Sequence, residues 1–417
     1  MDPLNLSLAF VGLVVLSVGL LSNAVKQSAV SEPLVAVAAG VLAGPYGLAW
    51  IDVRDWHALH TLMEQLARVT LAVSLLEVAM RLRPRSLRVM WPQAAVLLTL
   101  GMAGMWLVSS ALAAWVLGLS FWTALLLGAI VTPTDPVVAS SIVTGRFAAT
   151  HLPVRVRDLL SMESGANDGL AYVFVMLSLL ALEHAGVPLG TWLLRSVLWS
   201  VAGGIAAGAA VGYTAARLLQ AAERRGVIAD TLLRAYTVAF ALFTLGFAAL
   251  LQTDAIVAVF FAGLAFNLRA RHEAEREEGI QEPESKLFTL PMFVLFGVAL
   301  PLNAWFEFGW PLAGLVVLVL LLRRPPVVMA LFPALRSTVA WRDAEYVAWF
   351  GPIGIAAVYY AAFAWGHLGD PRYWQITSAI VCGSVLVHGI TSAPLTRLYA
   401  RHRPPPPVAA KAVDAPA

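Results

Sequence analysis

The chain has little charge and almost no cysteine. Asp, Glu, Lys and Arg make up 13% of its 417 residues, whereas hydrophobic residues make up 59%. Because a soluble domain carries about a quarter charged residues, a cytosolic enzyme, a nucleic-acid-binding protein and a disordered chain are all excluded. The single cysteine, Cys382, excludes a disulfide framework and a cysteine-based metal site. The composition instead predicts an all-α polytopic membrane protein with several spanning helices.

Apolar runs bounded by proline, glycine and charge clusters predict thirteen transmembrane helices. Asp2 precedes the first run and no Lys or Arg does, so we expect this run to be a retained helix rather than a signal peptide. The eleventh run is the least regular, because Arg323 and Arg324 interrupt it. The predicted spans are 4–22, 33–50, 66–81, 93–116, 121–144, 158–181, 190–216, 232–251, 254–269, 287–303, 310–333, 344–365 and 374–398.

Basic residues concentrate in every odd-numbered connection between these spans. The third connection, for example, holds four arginines between 81 and 88, whereas the second holds only Arg54. By the positive-inside rule the N-terminus is predicted outside and the C-terminus in the cytoplasm, in the cell (inner) membrane. Residues 1–403 form the predicted transmembrane domain, and the proline-rich tail 404–417 is expected to be disordered.

Two predicted spans contain helix breakers at their centre. The fifth contains Pro133 and Pro136 on either side of Asp135, and the twelfth contains Gly351-Pro352-Ile353-Gly354. Proline removes an N–H and clashes with the preceding turn, so the helix should unwind at these points. A packing kink is the alternative, but an Asp between two prolines makes a kink alone a poor explanation.

The positions of the two breaks predict internal symmetry. The breaks lie seven spans apart, and an odd offset makes the two spans antiparallel. The sequence therefore predicts two inverted-topology six-helix repeats, about 1–182 and 230–400, joined by a linker helix at about 190–216. The broken helices should cross at the midplane, where a transporter's binding site is expected. Asp135 is predicted to neutralise the positive ends of the half-helices, whereas the twelfth span supplies no charge for the negative ends.

The sixth span holds the densest polar group, from Glu163 to Gly169. Asp168 lies ten residues from Asp158, about 15 Å into a hydrocarbon core about 30 Å thick. Ser164 and Asp168 share a helix face, as do Glu163 and Asn167. A carboxyl at this depth is a functional hypothesis by default; the alternative is a structural Asp tied to an arginine or to backbone.

A single deep carboxyl suits cation exchange. It can hold a proton or a small cation, and the two compete. If only the loaded forms cross, obligatory counter-transport follows. Oxygen ligands from Asp168, Ser164 and Thr134 suit a hard monovalent cation.

Three further features have structural interpretations. Glu77 is expected to snorkel or to pair with Arg81, and His388 to be a buried, hydrogen-bonded histidine rather than a proton sensor. Three glycines spaced four apart in the seventh span form a small-residue ridge, predicted to pack within the chain, with dimerisation as the alternative. These are Gly204, Gly208 and Gly212.

The Thr134-Asp135-Pro136 motif followed by Glu163-Ser164-Gly165-Ala166-Asn167-Asp168-Gly169 resembles the monovalent cation:proton antiporter-1 family, the bacterial sodium/proton exchangers and their eukaryotic relatives. The resemblance covers nearly the whole chain in helix count and motif order. It implies an inverted-repeat fold, elevator-like alternating access and a homodimer in the lipid bilayer. No cofactor is expected.

The resemblance also implies residue roles. Asp168 matches the aspartate that carries ion and proton, with Ser164 and Thr134 as accessory ligands. Asn167 matches the partner that bonds the unwound helix near Thr134 and Asp135. Related exchangers with a second aspartate at this position are electrogenic, so the Asn-Asp pair implies electroneutral one-for-one exchange.

One position departs from the family pattern. An arginine is common in the glycine-flanked turn of the second broken helix, where this chain has Ile353. Glu163 matches a glutamate that is usually paired with an arginine. Here it is expected to use Arg324, to be protonated, or to be a second ion ligand.

The first functional prediction is a secondary antiporter, not an enzyme, that exchanges Na⁺, K⁺ or Li⁺ for H⁺. The alternative is a sodium-coupled symporter of an organic anion, which needs an arginine near the midplane; the sequence reading finds none there. An intramembrane hydrolase is disfavoured, because Ser164 has no histidine base in its span.

Overall fold

The computed structural model describes residues 3–20, 30–53, 59–184, 189–227, 230–269 and 271–401. Within these ranges every regular element is a helix and no strand occurs. The predicted tail and Arg54 lie outside the described residues. The helices are α1 (Pro3–Leu20), α2 (Glu32–Ala43), α3 (Leu59–Arg81), α4 (Pro84–Leu117), α5 (Phe121–Ile130), α6 (Ser140–Val143), α7 (Gly145–His151), α8 (Val154–Glu183), α9 (Leu189–Arg224), α10 (Asp230–Leu250), α11 (Ala255–Arg269), α12 (Arg271–Val298), α13 (Leu302–Phe308), α14 (Trp310–Leu322), α15 (Pro325–Ala330), α16 (Phe332–Leu335), α17 (Trp341–Trp349), α18 (Ile355–Leu368) and α19 (Arg372–Arg401).

Several of these helices are long and apolar enough to cross a bilayer. Among the described residues five qualify: α4, α8, α9, α14 together with α15, and α19. The bent pair formed by residues 285–298 of α12 and by α13, with 57° between its two parts, would make a sixth. The chain is therefore a multi-pass membrane protein. The count of thirteen spans stays a prediction, because most of the other helices are shorter.

Several predicted boundaries were wrong. The helix predicted at 33–50 ends at Ala43, because the glycines and proline that follow form turns, and the one predicted at 287–303 ends at Val298. The spans 66–81 and 93–116 begin earlier, at Leu59 and Pro84. Their extra turns carry polar residues, which a hydropathy criterion assigns to loops.

The helix that carries the polar motif, α8, lies in the centre of the bundle. It runs for 30 residues without a proline and is buried on every face from Leu159 to Gly169. It packs against α4, α5, α9 and α11. A helix buried all round holds its polar side chains away from lipid as well as from bulk water.

The glycine ridge on α9 packs within the chain. A Cβ atom built on Gly208 would collide with the backbone carbonyl of Ala258, and one on Gly212 with that of Ala262. Gly204 meets the carbonyl of Asp254 in the same way. The ridge therefore lets α9 lie directly on the backbone of α11, as the intramolecular interpretation predicted.

Candidate functional site

The two predicted breaks are in direct contact. Helix α5 ends at Ile130 and α17 at Trp349, and each is followed by a non-helical stretch. The backbone N–H of Asp135 donates to the carbonyl of Pro352 over 2.8 Å. The breaks therefore form one crossing, at which four half-helix ends meet or approach.

Asp135 lies at the positive pole of this crossing. Its side chain is buried, and its Oδ1 accepts from the backbone N–H groups of Val137 (2.6 Å) and Val138 (3.2 Å). Its Oδ2 accepts from the N–H of Ile355, the first residue of α18, over 2.5 Å. Gly354 permits this approach, since a Cβ atom there would overlap the carboxylate. The carboxylate thus balances the partial positive charge of the α18 N-terminus.

Arg323 lies at the negative pole. Its Nη1 donates to the carbonyls of Val131, Thr132 and Pro133 at 2.6, 2.9 and 3.2 Å, and its Nη2 to that of Gly351 at 2.5 Å. These carbonyls follow the C-terminal ends of α5 and α17, where partial negative charge accumulates. The twelfth predicted span itself contains no charge for these ends. The signal was present in the two adjacent arginines inside an apolar run, but that run was interpreted only as an irregular span.

Arg324 is also buried at the crossing and pairs with Glu163. The pair is bidentate, with Nη1 to Oε1 at 2.7 Å and Nη2 to Oε2 at 2.9 Å. Its Nε donates to the carbonyl of Val347 over 3.0 Å. A side chain at Gly351 would collide with this arginine. Arg324 thus contacts Glu163 where the family pattern uses an arginine at the position of Ile353.

The sequence predicts no arginine near the midplane, but the structure places two at the crossing of the broken helices. Arg323 and Arg324 are each 2% exposed and contact the crossing. Hydropathy placed them at a span interruption, whereas the break between α14 and α15 brings both side chains inward. Their donors bond backbone carbonyls and Glu163, so they are already engaged within the protein.

Asn167 joins α8 to the unwound stretch after α5. Its Oδ1 accepts from the backbone N–H of Thr134 (3.1 Å), and its Nδ2 donates to the Thr134 hydroxyl (2.7 Å) and to Glu163 (3.0 Å). The backbone donor fixes which way the amide points. Asn167 thus ties Thr134 to the Glu163–Arg324 pair.

Asp168 differs from these neighbours. It is 1% exposed, and neither carboxylate oxygen has a hydrogen-bond partner in the described part of the chain. Its backbone carbonyl, in contrast, accepts from the Tyr360 hydroxyl over 2.7 Å. The structure therefore fixes the main chain at this residue and leaves the carboxylate open.

Asp168 lies near two further carboxylates. The charges of Asp135 and Glu163 each act on it through space and disfavour a negative charge there. A buried carboxylate with no hydrogen bond, near two further carboxylates, needs compensation by a proton or a cation. The described residues contain no group of three or more His, Cys, Asp or Glu side chains that could hold a metal ion.

The remaining predicted ligands differ in availability. Ser164 lies one turn before Asp168, and its hydroxyl donates to the carbonyl of Leu160 over 2.7 Å, so its lone pairs stay free to accept or coordinate. Thr134 is bonded to Asn167 and lies 3.5 Å from both oxygens of Glu163. Both carboxylate oxygens of Asp135 already accept from backbone N–H groups. The structure thus gathers all the predicted site residues but leaves Asp168 and Ser164 the least engaged.

His388 is buried and fully bonded, as expected. The Ser384 hydroxyl accepts from the N–H of Ile353 (2.7 Å) and lies 3.2 Å from Nδ1, while Nε2 lies 3.2 Å from the carbonyl of Trp349. These contacts connect α19 to both ends of the second break. Sequence reasoning missed this support, because nothing in the helix periodicity links His388 to a loop about 35 residues earlier.

Comparison with known proteins now identifies the group to which the chain belongs. The family model described as "Sodium/hydrogen exchanger, transmembrane" matches residues 12–398. The chain belongs to the sodium/hydrogen exchanger family. The resemblance inferred from the Asp135 and Asp168 motifs is confirmed.

Named members of the exchanger family resemble the chain over most of its length. It is 32% identical over 405 residues to Na(+)/H(+) antiporter 2 of Zygosaccharomyces rouxii, covering 88% of this chain and 50% of that protein. It is 27% identical over 381 residues to the K(+)/H(+) antiporter NhaP2 of Shewanella oneidensis, covering 90% of this chain and 64% of that protein. The chain spans about half the length of the first of these relatives.

The exchanger fold is supported independently. The sodium proton antiporter MjNhaP1 from Methanocaldococcus jannaschii at pH 8 superimposes with a TM-score of 0.71, at 19% identity, over 96% of this chain and 99% of that one. At this identity the match shows the fold.

Proposed function

We propose that the protein is a secondary antiporter that exchanges a monovalent cation for H⁺. The Asp168 carboxylate binds the proton and the cation in turn, with the Ser164 hydroxyl and the oxygens near Thr134 as accessory ligands. Asp135, Asn167 and the Glu163–Arg324 pair hold the crossing in shape. The protein therefore acts as a transporter and not as an enzyme.

One observation carries this proposal. Asp168 is a buried carboxylate whose two oxygens have no partner among the described residues, next to a crossing whose other charges are all paired. A structural carboxylate would be expected to have hydrogen-bond donors, as Asp135 and Glu163 do. An acid without donors suits a ligand that arrives and leaves.

The cation is Na⁺, K⁺ or Li⁺. Similar proteins carry names of both kinds, Na(+)/H(+) antiporter and K(+)/H(+) antiporter. The oxygen-only ligands suit any hard monovalent cation. The Asn167–Asp168 pair provides one titrating carboxylate, which favours electroneutral one-for-one exchange.

The architecture we propose has thirteen spans in two inverted repeats, with the N-terminus outside and the C-terminus in the cytoplasm. The bundle that carries the crossing moves against the rest in an elevator-type cycle, and two copies form a homodimer. The two breaks lie at 131–139 and 350–354. They support the repeats, because the backbone N–H of one break donates to a backbone carbonyl of the other.

A sodium-coupled symporter of an organic anion is the weaker candidate. Such a site needs a free cationic side chain near the bound anion. Arg323 and Arg324 lie at the crossing, but backbone carbonyls and Glu163 occupy their donors.

The test is exchange in proteoliposomes. Asp168→Asn removes the titrating group, and we expect no cation-dependent proton movement with Na⁺, K⁺ or Li⁺. The matched control is Asp254→Asn, the same change at another buried carboxylate. Asp254 accepts from the N–H groups of Ile256 and Val257, and an Asn side-chain oxygen can accept the same two bonds. Exchange by Asp168→Asn at the wild-type rate would overturn the proposal.

The same vesicles test the stoichiometry. A potassium diffusion potential clamped with valinomycin, with Na⁺ as the transported ion, should leave the wild-type rate unaltered if exchange is one for one. A rate that follows the imposed voltage would contradict electroneutrality but leave the role of Asp168 intact.

A further inference from the structure

An apolar groove lies away from Asp168, between α4, α8, α9 and α11. Its volume is about 470 Å³, within the range of small-molecule sites. Of the side chains that line it, the Thr99 hydroxyl and the Trp91 ring nitrogen are the polar parts. The apolar lining includes Ala95, Leu98, Leu170, Phe174 and Phe261.

The groove is as deep as one leaflet of a bilayer. Its lining on α4 extends from Leu87 to Thr99, and the twelve helical steps between them correspond to about 18 Å along a helix. One half of the hydrocarbon core is about 15 Å thick. The groove therefore fits one acyl chain lying along the helices.

The end of the groove near the start of α4 is basic. Arg88 lies seven residues before Ala95 and three before Trp91, so it shares their helix face. Arg83, Arg85 and Arg88 are exposed and form no ion pair with any described residue. A phosphate above the groove would find positive charge there.

Trp91 marks the boundary between the basic and apolar parts. It is 52% exposed and lines the groove one turn from Arg88. Tryptophan is enriched where the headgroups of a bilayer meet the acyl chains. Along α4, Arg88 thus lies where the phosphate of a phospholipid would be, Trp91 lies at the boundary between headgroup and acyl chain, and Ala95 and Thr99 lie beside the acyl chain.

We propose that this groove is a binding site for an anionic phospholipid, with one acyl chain between α4, α8 and α11 and the phosphate at Arg88. The proposal does not depend on ion exchange. The lipid contacts α8 on the side formed by Met162, Ala166 and Leu170, which is not part of the cation site.

The experiment counts lipids on the purified full-length protein by native mass spectrometry. The protein is equilibrated in mixed micelles with equal amounts of dioleoylphosphatidylglycerol and dioleoylphosphatidylcholine. We expect wild type to retain phosphatidylglycerol about five-fold over phosphatidylcholine, the ratio that one arginine near the phosphate provides. Equal retention would overturn the proposal.

Two variants, each with its own control, test the basic end and the apolar part of the groove separately. Arg88→Gln should remove the preference, whereas Arg401→Gln, the same loss of charge at the exposed end of α19, should keep it. Ala95→Trp should fill the groove and lower retention of both lipids, whereas Ala111→Trp, at an exposed position of the same helix, should not.

A third variant guards against misfolding. Thr99→Phe blocks the deep end of the groove at an exposed position and should also lower retention. Retention equal to wild type in both Ala95→Trp and Thr99→Phe would overturn the site. A shift from dimer to monomer in these variants with lipid unchanged would mean that a second copy of the chain covers the groove, and would also overturn it.

Discussion

The crossing of the broken helices and the Asp168 carboxylate lie side by side, yet the protein treats their charges in opposite ways. At the crossing, Asp135 accepts three backbone N–H groups, and Arg323 donates to four carbonyls. Asp168 is as deeply buried, but its carboxylate oxygens have no hydrogen bond among the described residues. The comparison separates charges that hold the fold from a charge that the fold leaves for a ligand.

Burial alone therefore does not identify the functional acid. Asp135, Glu163 and Asp168 are each 1% exposed. What distinguishes them is the number of donors that they face. A stabilising carboxylate should be costly to remove, whereas an unpartnered one should not.

The largest expected effect is the loss of Arg323. Arg323→Met leaves four buried carbonyls without their donor and two helix C-termini without a counter-charge. We expect the free energy of unfolding in detergent to fall by about 3–5 kcal/mol. Tryptophan fluorescence during denaturant titration measures it, with Arg336→Met at an exposed position as the control. A loss no larger than that of the control would mean that the crossing does not depend on this guanidinium.

The Glu163–Arg324 pair gives the next effect. Glu163→Gln leaves the Arg324 charge buried without its carboxylate, and we expect a loss of about 3 kcal/mol. Glu163→Gln combined with Arg324→Gln should lose less than the sum of the two single variants, because neither then leaves a lone charge. The same unfolding titration completes this double-mutant cycle. Additive losses would show that the two side chains do not interact.

The smallest effect on stability is expected at Asp168. Asp168→Asn removes a desolvated carboxylate and breaks no side-chain hydrogen bond, so the free energy of unfolding should change by less than about 1 kcal/mol. The variant would then combine an intact fold with lost exchange. A loss as large as that of Glu163→Gln would break the comparison and assign Asp168 a structural role.

The two breaks and the polar run of the sixth span could be located from the sequence more easily than the contacts that surround them. Pro133, Pro136 and Pro352 disrupt only the helical turns next to them in the chain, so the two breaks could be located from local rules. The polar run from Glu163 to Asp168 was visible because each polar group stands out in an apolar span. Asp168 and Ser164 share a face by helix spacing alone.

The long-range contacts could not be predicted in this way. Arg323 bonds to carbonyls about 190 residues earlier in the chain, and no periodicity connects them. Hydropathy counts an arginine as a cost and cannot distinguish a loop from a buried counter-charge. The same limit explains the misplaced end of the second span, where the apolar residues after Ala43 form turns.

The glycine ridge of α9 has a mechanical consequence. At Gly204, Gly208 and Gly212 main chain rests against main chain, so no side-chain rotamer separates α9 from α11 at three successive turns. Sliding or rotation of one helix against the other would require the two backbones to part. Within any conformational cycle these helices should therefore move as a single stiff unit, and their amide hydrogens should exchange with solvent among the slowest in the molecule.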